Sequence, residues 1–303
     1  MPQELVSIVL CTYNGLKFID EQLKSIQRQT HSNLEIIISD DASTDGTFEW
    51  LKKEAALDKR IKLYRNQPNI GVNLNFNKAC SKVEANFIAF ADQDDIWDEK
   101  KIEILLNEIN KDDDVQMTYC FSATFEKLNA PHLRSLKIIN PFSGNDARQF
   151  FLHNTISGHT MLFKKQLLAA AAPFPVEVYY DWWLVVNACS IGKIKAVPEI
   201  LVWHRMHENN ITGAAKPHVL FYKQAQKNLK YFISVSNLSA KHKQFALKLH
   251  KLYSAFPGKK FSMRLWWFLL LNSRIIFAYK KRLIPIFSYL KHSFRYAKVS
   301  TVA

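Results

Sequence analysis

Asn86-Phe-Ile-Ala-Phe-Ala91-Asp92-Gln93-Asp94-Asp95-Ile96-Trp97 is the stretch whose reading decides the fold. Its uninterrupted apolar run reads as a strand buried on both faces, and the chain turns acidic where the run ends. Carboxylates two apart at a strand end point into one crevice, where they repel each other unless a cation intervenes. Oxygen ligands of this kind suit Mg²⁺ or Mn²⁺ facing phosphate oxygens. An isolated Asp-x-Asp is more often a solvated turn, but this one lies between a buried strand and Ile96-Trp97.

Outward from there, strand and helix signals alternate. Val6 to Cys11, Glu35 to Ser39 and Ile61 to Tyr64 read as strands. Helical spacing appears in Ile19, Leu23 and Ile26, in Phe76 to Val83, and in Ile102, Leu105, Leu106 and Ile109. Ser43, Thr44 and Asp45 offer N-cap oxygens for a helix starting between Thr44 and Thr47. This alternation predicts an α/β fold, a mostly parallel sheet flanked by helices, with ligands at the carboxyl ends of the strands. Val115 to Phe125 and Ile156 to Phe163 read as further strands, and Tyr179 to Ile191 as a helix. Ile194 to Trp203 reads as a strand pair broken at Pro198, and from Val219 onward the pattern is helical and amphipathic.

The net charge of +14 is unevenly placed. No Asp or Glu follows Glu208, whereas 18 of the 41 Lys and Arg lie from Lys216 onward, leaving residues 1–215 at −4. A basic tail points to a polyanion. Trp266, Trp267 and Phe268 beside Lys259, Lys260 and Arg264 suit the interface of an anionic membrane better than nucleic acid, which tolerates fewer apolar residues. If the tail is such an appendage, cutting at Lys259 should leave a soluble, folded protein. Leu265 to Leu271 is far shorter than the ~20 residues a spanning helix needs. Met1-Pro2-Gln3-Glu4 lacks the basic start of a secretory leader. Cys11, Cys80, Cys120 and Cys189 are scattered without a CxxC pair, as expected in a reducing compartment. With no GxGxxG after the first strand, a dinucleotide-dependent dehydrogenase is disfavoured.

Two more polar loops fall at strand ends. In Asp40-Asp41-Ala-Ser-Thr-Asp-Gly46 the first two carboxylates can accept from a base N–H or a ribose hydroxyl. Thr12-Tyr13-Asn14-Gly15 adds a ring able to stack on a base. With the three loops in this order, the chain resembles the family 2 glycosyltransferases, inverting enzymes of the GT-A (Rossmann-like) fold. The matching stretches are Ser7 to Asn14, Glu35 to Thr47 and Ala91 to Trp97. The last is similar to the branch containing bacterial rhamnosyltransferases of surface-polysaccharide synthesis. The resemblance is strong from Val6 to about Ile109, moderate to about Gly213 and absent beyond.

The resemblance implies a catalytic domain over residues 1–215, with a nucleotide-sugar half (1–110) and an acceptor half (111–215), followed by a C-terminal basic amphipathic helical extension (216–303). Thr12 and Tyr13, with Asn14 beside them, would line the nucleoside pocket. Asp41 would read the base edge, and Gly71 and Asn75 would close the donor side. Asp92 would sit near the ribose, and Asp94 would hold the Mg²⁺ or Mn²⁺ that bridges the diphosphate. Apart from the resemblance, His204 and His207, in Trp203 to Asn210, could offer a further metal ligand or a phosphate contact, with His207 the stronger candidate of the two. Relatives often carry an arginine near Asn75, and here there is none. Asp181, among Tyr179, Tyr180, Trp182 and Trp183, matches the catalytic base, and its aromatic surroundings should raise its pKa. Gly158 and His159 would border the acceptor. By residue type alone, Trp182 could stack on a sugar face on the acceptor side, although large aromatics at helical spacing are more often core. The implied function is metal-dependent, inverting transfer of a sugar from a nucleotide-sugar to a glycan or lipid-linked acceptor in cell-surface polysaccharide synthesis. It would take place in the cytoplasm, peripherally on the membrane. The competing reading is a non-catalytic protein of the same fold that holds a polyanion through its basic tail.

Overall fold

The computed structural model describes residues 3–125, 139–208, 221–255, 261–281 and 284–298. Strands β1 (Val6–Thr12), β2 (Leu34–Asp40), β3 (Ile61–Arg65) and β4 (Phe87–Ala91) alternate with helices α1 (Ile19–Gln27), α2 (Thr47–Leu57) and α3 (Val72–Cys80). Then come β5 (Ile96–Trp97), α4 (Lys101–Ile109), β6 (Val115–Phe125), β7 (Met161–Lys164), α5 (Lys165–Ala171), α6 (Tyr180–Ile191) and β8 (Lys193–Arg205). Helices α7 (Phe221–Ile233), α8 (Ala240–Ser254), α9 (Met263–Leu271), α10 (Ser273–Ile276) and α11 (Pro285–Tyr296) follow.

One eight-stranded sheet runs in the order β3-β2-β1-β4-β7-β6-β8-β5. The half read most clearly from sequence, β3-β2-β1-β4, is parallel. Beyond β4 the sheet is mixed: β7 is antiparallel to β4 and β6, β8 is parallel to β6, and β5 is antiparallel to β8. Along β1, Ile8 and Leu10 face one core and Val9 the other, so the sheet is covered on both sides. The carboxyl ends of β1, β2 and β4 are neighbours in register, with Thr12 opposite Asp40 and Leu10 opposite Ala91. This register is what gathers the three polar loops.

Several expectations are corrected. Pro198 does not break β8. One strand continues through it, and the β6–β8 register shifts between Tyr119 and Ser122 absorb the irregularity. Helix α3 begins at Val72, four residues before Phe76. Ser43 does not cap α2; its Oγ accepts the Asn14 N–H, while Asp45 takes Thr47 N–H and Leu16 N–H.

The largest correction concerns the tail. Leu265 and Leu269 of α9 and Ile276 and Phe277 after it are fully buried, in one core with Phe150, Phe151 and Phe163. Leu229, Phe232, Leu249 and Tyr253 of α7 and α8 join that core. Trp266 packs against it too, leaving Trp267 as the exposed tryptophan of the pair. Helices α7 to α10 therefore pack into the core beside the sheet, whereas α11 buries Ser293 and exposes Ile286, Phe287, Leu290 and Phe294. Among the described residues, no helix is long and apolar enough to cross a membrane.

Candidate active site

The loop after β4 is the floor of the site. Gln93 pinches the first loop to it, accepting the Tyr13 N–H (2.9 Å) and donating to the Tyr13 carbonyl (3.1 Å). Tyr13 keeps its ring half exposed at the rim. Asn14, in the left-handed region at φ 49°, donates its N–H to Ser43 and accepts from Thr44 N–H, clamping the first loop to the second. Thr12 Oγ1 donates to Asp40 at 3.2 Å.

Asp41 is buried, and its carboxylate accepts from Asn66 Nδ2, Ile70 N–H and Gly71 N–H at 2.8–2.9 Å. Three bonds to one loop make it the anchor of that loop, while Oδ2, which takes only one of them, keeps a lone pair that a base edge could use. Asn75 does not line the crevice. Its buried amide is spent on Ser39 and Asn66, one layer behind Asp41. Gly71 stands at the turn with φ 83°, a conformation that favours glycine.

Asp92, Asp94 and Asp95 meet three histidines from the other half of the chain. His159 Nδ1 lies 3.0 Å from Asp92 Oδ2 and 3.4 Å from Asp95 Oδ2, His204 Nδ1 lies 2.9 Å from Asp95 Oδ1, and His207 Nε2 lies 2.7 Å from Asp94 Oδ2. The His159 and His204 rings stack at 4.9 Å. Burial, then repulsion from Asp92 and Asp95, pushes the Asp94 carboxyl up. Burial opposes charge on Asp92 as well, yet the His159 hydrogen bond and the nearby cations hold it below the usual range. Burial also opposes charge on His204, but the hydrogen bond and field of Asp95, with Asp92 and Asp94, push it up to about 9. The site has a field that attracts positive charge.

That field is the test of whether a divalent cation fits here. Asp94 and His207 are bonded to each other at 2.7 Å, so that pair would have to open to hold a cation. Asp95, His159 and His204 each offer a ligand atom within 4.8 Å of the others. Asp95 Oδ2 and His159 Nε2 are buried without a hydrogen-bond partner among the described residues. The donors present fit a divalent cation, and the imidazoles among them suit Mn²⁺ better than Mg²⁺.

Asp181 sits in the first turn of α6, one residue past Tyr180, which stacks on Phe76 at 4.1 Å. Its Oδ1 accepts Trp182 N–H (2.6 Å), and the nearby Gly158 backbone weakly favours the ionised form. Burial nonetheless raises its carboxyl to about 6, with Asp92 adding to the rise. Gly158 must be glycine because a Cβ would collide with the Tyr180 ring and hydroxyl. Trp182 is partly buried, its Nε1 donating to Phe150 O and its ring lying against Phe232.

Two side chains escaped the sequence reading. Lys101 is completely buried, donating to His159 O (2.6 Å) with its ammonium 3.1 Å from the Trp97 ring centroid. Burial pulls it down to about 7 against the opposing pull of Cys120, Asp95 and Asp92. The signal was present, since Lys101, Leu105 and Ile109 share one buried helical stripe. Arg205 donates to the Asp94 carbonyl and to Glu21, and lies over Phe18 and Phe125. Nothing near it in sequence distinguishes it from an ordinary surface arginine.

Comparison with known proteins agrees with this geometry. Residues 7–170 match the model of the family described as glycosyl transferase family 2. An uncharacterized glycosyltransferase of Haemophilus influenzae is 29% identical over 250 residues, spanning 78% of this chain and 77% of that protein. The Escherichia coli protein named UDP-Glc:alpha-D-GlcNAc-diphosphoundecaprenol beta-1,3-glucosyltransferase WfgD is 37% identical over 112 residues, 37% of this chain and 43% of its own length. Among solved structures, S. aureus TarS 1–349 in complex with UDP-GlcNAc superposes with a TM-score of 0.65 at 19% identity, covering 95% of this chain and 87% of that one. The mannosyltransferase PcManGT from Pyrobaculum calidifontis, in complex with GDP-Man and Mn²⁺, does so at 0.55 and 16% identity, covering 96% and 84%.

Proposed function

The chain belongs to glycosyl transferase family 2, and from that premise we propose that it transfers a sugar, with inversion, from a nucleoside-diphosphate sugar to a hydroxyl of a lipid-linked glycan. Surface-polysaccharide assembly is the setting that its relatives' names suggest. One observation carries the mechanism. The Gly158-His159 turn lies beside both chemical ends of the site, its Gly158 backbone near enough to Asp181 to favour the ionised carboxylate and its His159 Nδ1 3.0 Å from Asp92 Oδ2.

In this reading Asp181 takes the proton from the acceptor hydroxyl as that oxygen attacks the anomeric carbon. A carboxyl raised to about 6 is ionised at neutral pH yet more basic than an ordinary aspartate. The first and second loops hold the nucleoside, with Tyr13 offering its ring to the base. Asp94 and His207 would hold a divalent cation, Mn²⁺ in preference to Mg²⁺, and the cation would supply positive charge to offset that of the leaving diphosphate. Lys101 fixes the His159 carbonyl from beneath, so the turn keeps its place while the charges above it change.

An anionic membrane on the cytoplasmic side would present the acceptor. In support, α9 exposes Met263, Trp267 and Leu271, and α11 exposes Ile286, Phe287, Leu290 and Phe294, in a region without a carboxylate. The deciding experiment is a panel of nucleotide-sugars, with and without Mn²⁺, read by thermal stabilisation and by donor hydrolysis. Stabilisation by one donor that requires Mn²⁺ and is absent in Asp94→Ala is the expected result. Indifference to every donor would overturn the reading.

A further inference from the structure

A cavity of about 310 Å³ opens between the Gly71 loop, the segment leading to Asp181, and α7. Its walls are held from behind by two buried side chains. Asp41 fixes one, through the Ile70 and Gly71 N–H groups. Asn73 fixes the other, its Nδ2 donating to the carbonyls of Pro175, Val176 and Val178 and its Oδ1 accepting the Tyr180 N–H. Buried amide and carboxylate groups spent this way make a groove that keeps its shape without a ligand.

The lining has two chemistries. Val72, Leu74 and Val176 present exposed apolar surface, and Tyr179, two residues from Asp181, adds its ring. The third wall, α7, contributes Gln224 and Lys227. Lys223, Lys227 and Lys230 recur at helical spacing and are all exposed. The carboxylate among them, Glu177, accepts from Tyr231 Oη at 2.5 Å and is held below its usual range by that bond and by the fields of Lys227 and Lys230. Positive charge is therefore in excess over an apolar floor, beside the proposed base. A volume of this size is at the small end of ligand sites, which run to roughly 300–1,000 Å³.

We propose that this groove is an acceptor subsite for a phosphate carried on an apolar chain, with Lys227 meeting the phosphate and the Val72–Leu74–Val176 wall meeting the chain. It rests on the transferase reading only for the word acceptor, since binding can be measured without catalysis. The test is calorimetry on the full chain in EDTA, which strips divalent cations from the carboxylate crevice, with farnesyl diphosphate, farnesol and inorganic diphosphate as probes.

Farnesyl diphosphate is expected to bind, and each half-molecule at least tenfold more weakly. Lys227→Glu should weaken farnesyl diphosphate roughly tenfold or more, the loss of one charge-assisted contact. Val176→Asp, on the facing wall, should do the same, while Trp267→Glu leaves binding unchanged. Equal binding of farnesol and farnesyl diphosphate, no response to Lys227→Glu, or loss through Trp267→Glu would each overturn the assignment. If no nucleotide-sugar binds with Mn²⁺ while farnesyl diphosphate still requires Lys227, the groove stands and the transferase reading falls.

Discussion

In the crevice, Asp92, Asp94, Asp95 and Asp181 share a small partly buried volume with His159, His204, His207 and Lys101, and most of their polar atoms have a named partner. Beyond Glu208 the arrangement is reversed: no carboxylate at all, cations on the outside, and aromatic and aliphatic side chains wedged into the core. One region is held by matched charges whose removal alters chemistry. The other is held by burial whose removal alters folding. Composition alone suggested the opposite for the tail, because net charge reports on the surface and says nothing of what the same helices bury.

The harshest way to break this contrast is to delete the chain from Lys259. That removes Leu265, Leu269, Ile276 and Phe277, all essentially inaccessible. At ~1.5–3 kcal/mol for each fully buried large side chain, the loss rivals the ~5–15 kcal/mol that holds a domain together. The truncated chain should be insoluble or lack a cooperative melt by circular dichroism. A soluble fragment with an unchanged melt would restore the tail as an appendage.

Asp181→Asn sharpens the contrast from the other side. It should lower kcat by roughly 10²–10⁴-fold with donor affinity nearly unchanged, as for loss of a general base. In the parent protein kcat should fall on the acid side of about pH 6, where Asp181 takes up its proton. The stability effect has the opposite sign. The folded value of about 6 exceeds the ~3.9 of an unfolded chain, so ionisation disfavours the fold increasingly from pH ~4 upward. Asp181→Asn should therefore melt higher than the parent at pH 7.5, with the gap closing below pH 4. A lower melting temperature at pH 7.5 would make Asp181 a structural cap.

These outcomes bear on what was legible in the sequence. The parallel half and its loops were readable because hydrophobic pattern, run length and polar strand ends are local signals: Phe87–Ala91 is too short for a helix and apolar throughout, and Asp92 follows it. The antiparallel strands, the continuity of β8 through Pro198 and the pairing of Asp95 with His204 are contacts between distant segments, which no local period encodes. Asn75 matched a motif in sequence but spends its amide on Ser39 and Asn66, and Trp182 donates its Nε1 to Phe150. A motif fixes a residue's identity, and only packing decides which way it faces.

Lys101 lies where the two regimes meet, a cation buried as deeply as any core leucine. If it is a counter-charge for Asp92 and Asp95, Lys101→Met should make Mn²⁺ bind more tightly, by roughly tenfold, because a buried charge nearby has gone. Titration calorimetry at pH 6.5, where the ammonium predominates, would show it. If it is only a strut beneath His159, the loosened turn should bind Mn²⁺ more weakly, and the sign of the change separates the two.

The smallest expected effect is at the outer face of the tail, where burial stops. Trp267 and Phe287 are among the most exposed large apolar side chains of α9 and α11, at 50% and 69%, and neither stands in the crevice. Replacing both by Glu removes apolar surface and adds negative charge to a face that has none, so both the hydrophobic and the electrostatic contributions to holding an anionic bilayer should fall. Since only part of each ring would enter the headgroup region, binding to vesicles containing anionic lipid should weaken by about three- to tenfold, well short of the ~1.5–3 kcal/mol per side chain of full burial. The melt should stay within about 0.5 kcal/mol of the parent, because exposed substitutions that leave core partners intact rarely cost more. Parent binding should also decline as salt rises, since exposed charges are screened beyond ~8–10 Å at 0.10–0.15 M, and should retain a salt-insensitive remainder from the rings. Co-sedimentation across a salt series decides the matter: equal binding of parent and double variant, or equal binding to neutral and anionic vesicles, would mean that this face serves something other than an anionic membrane.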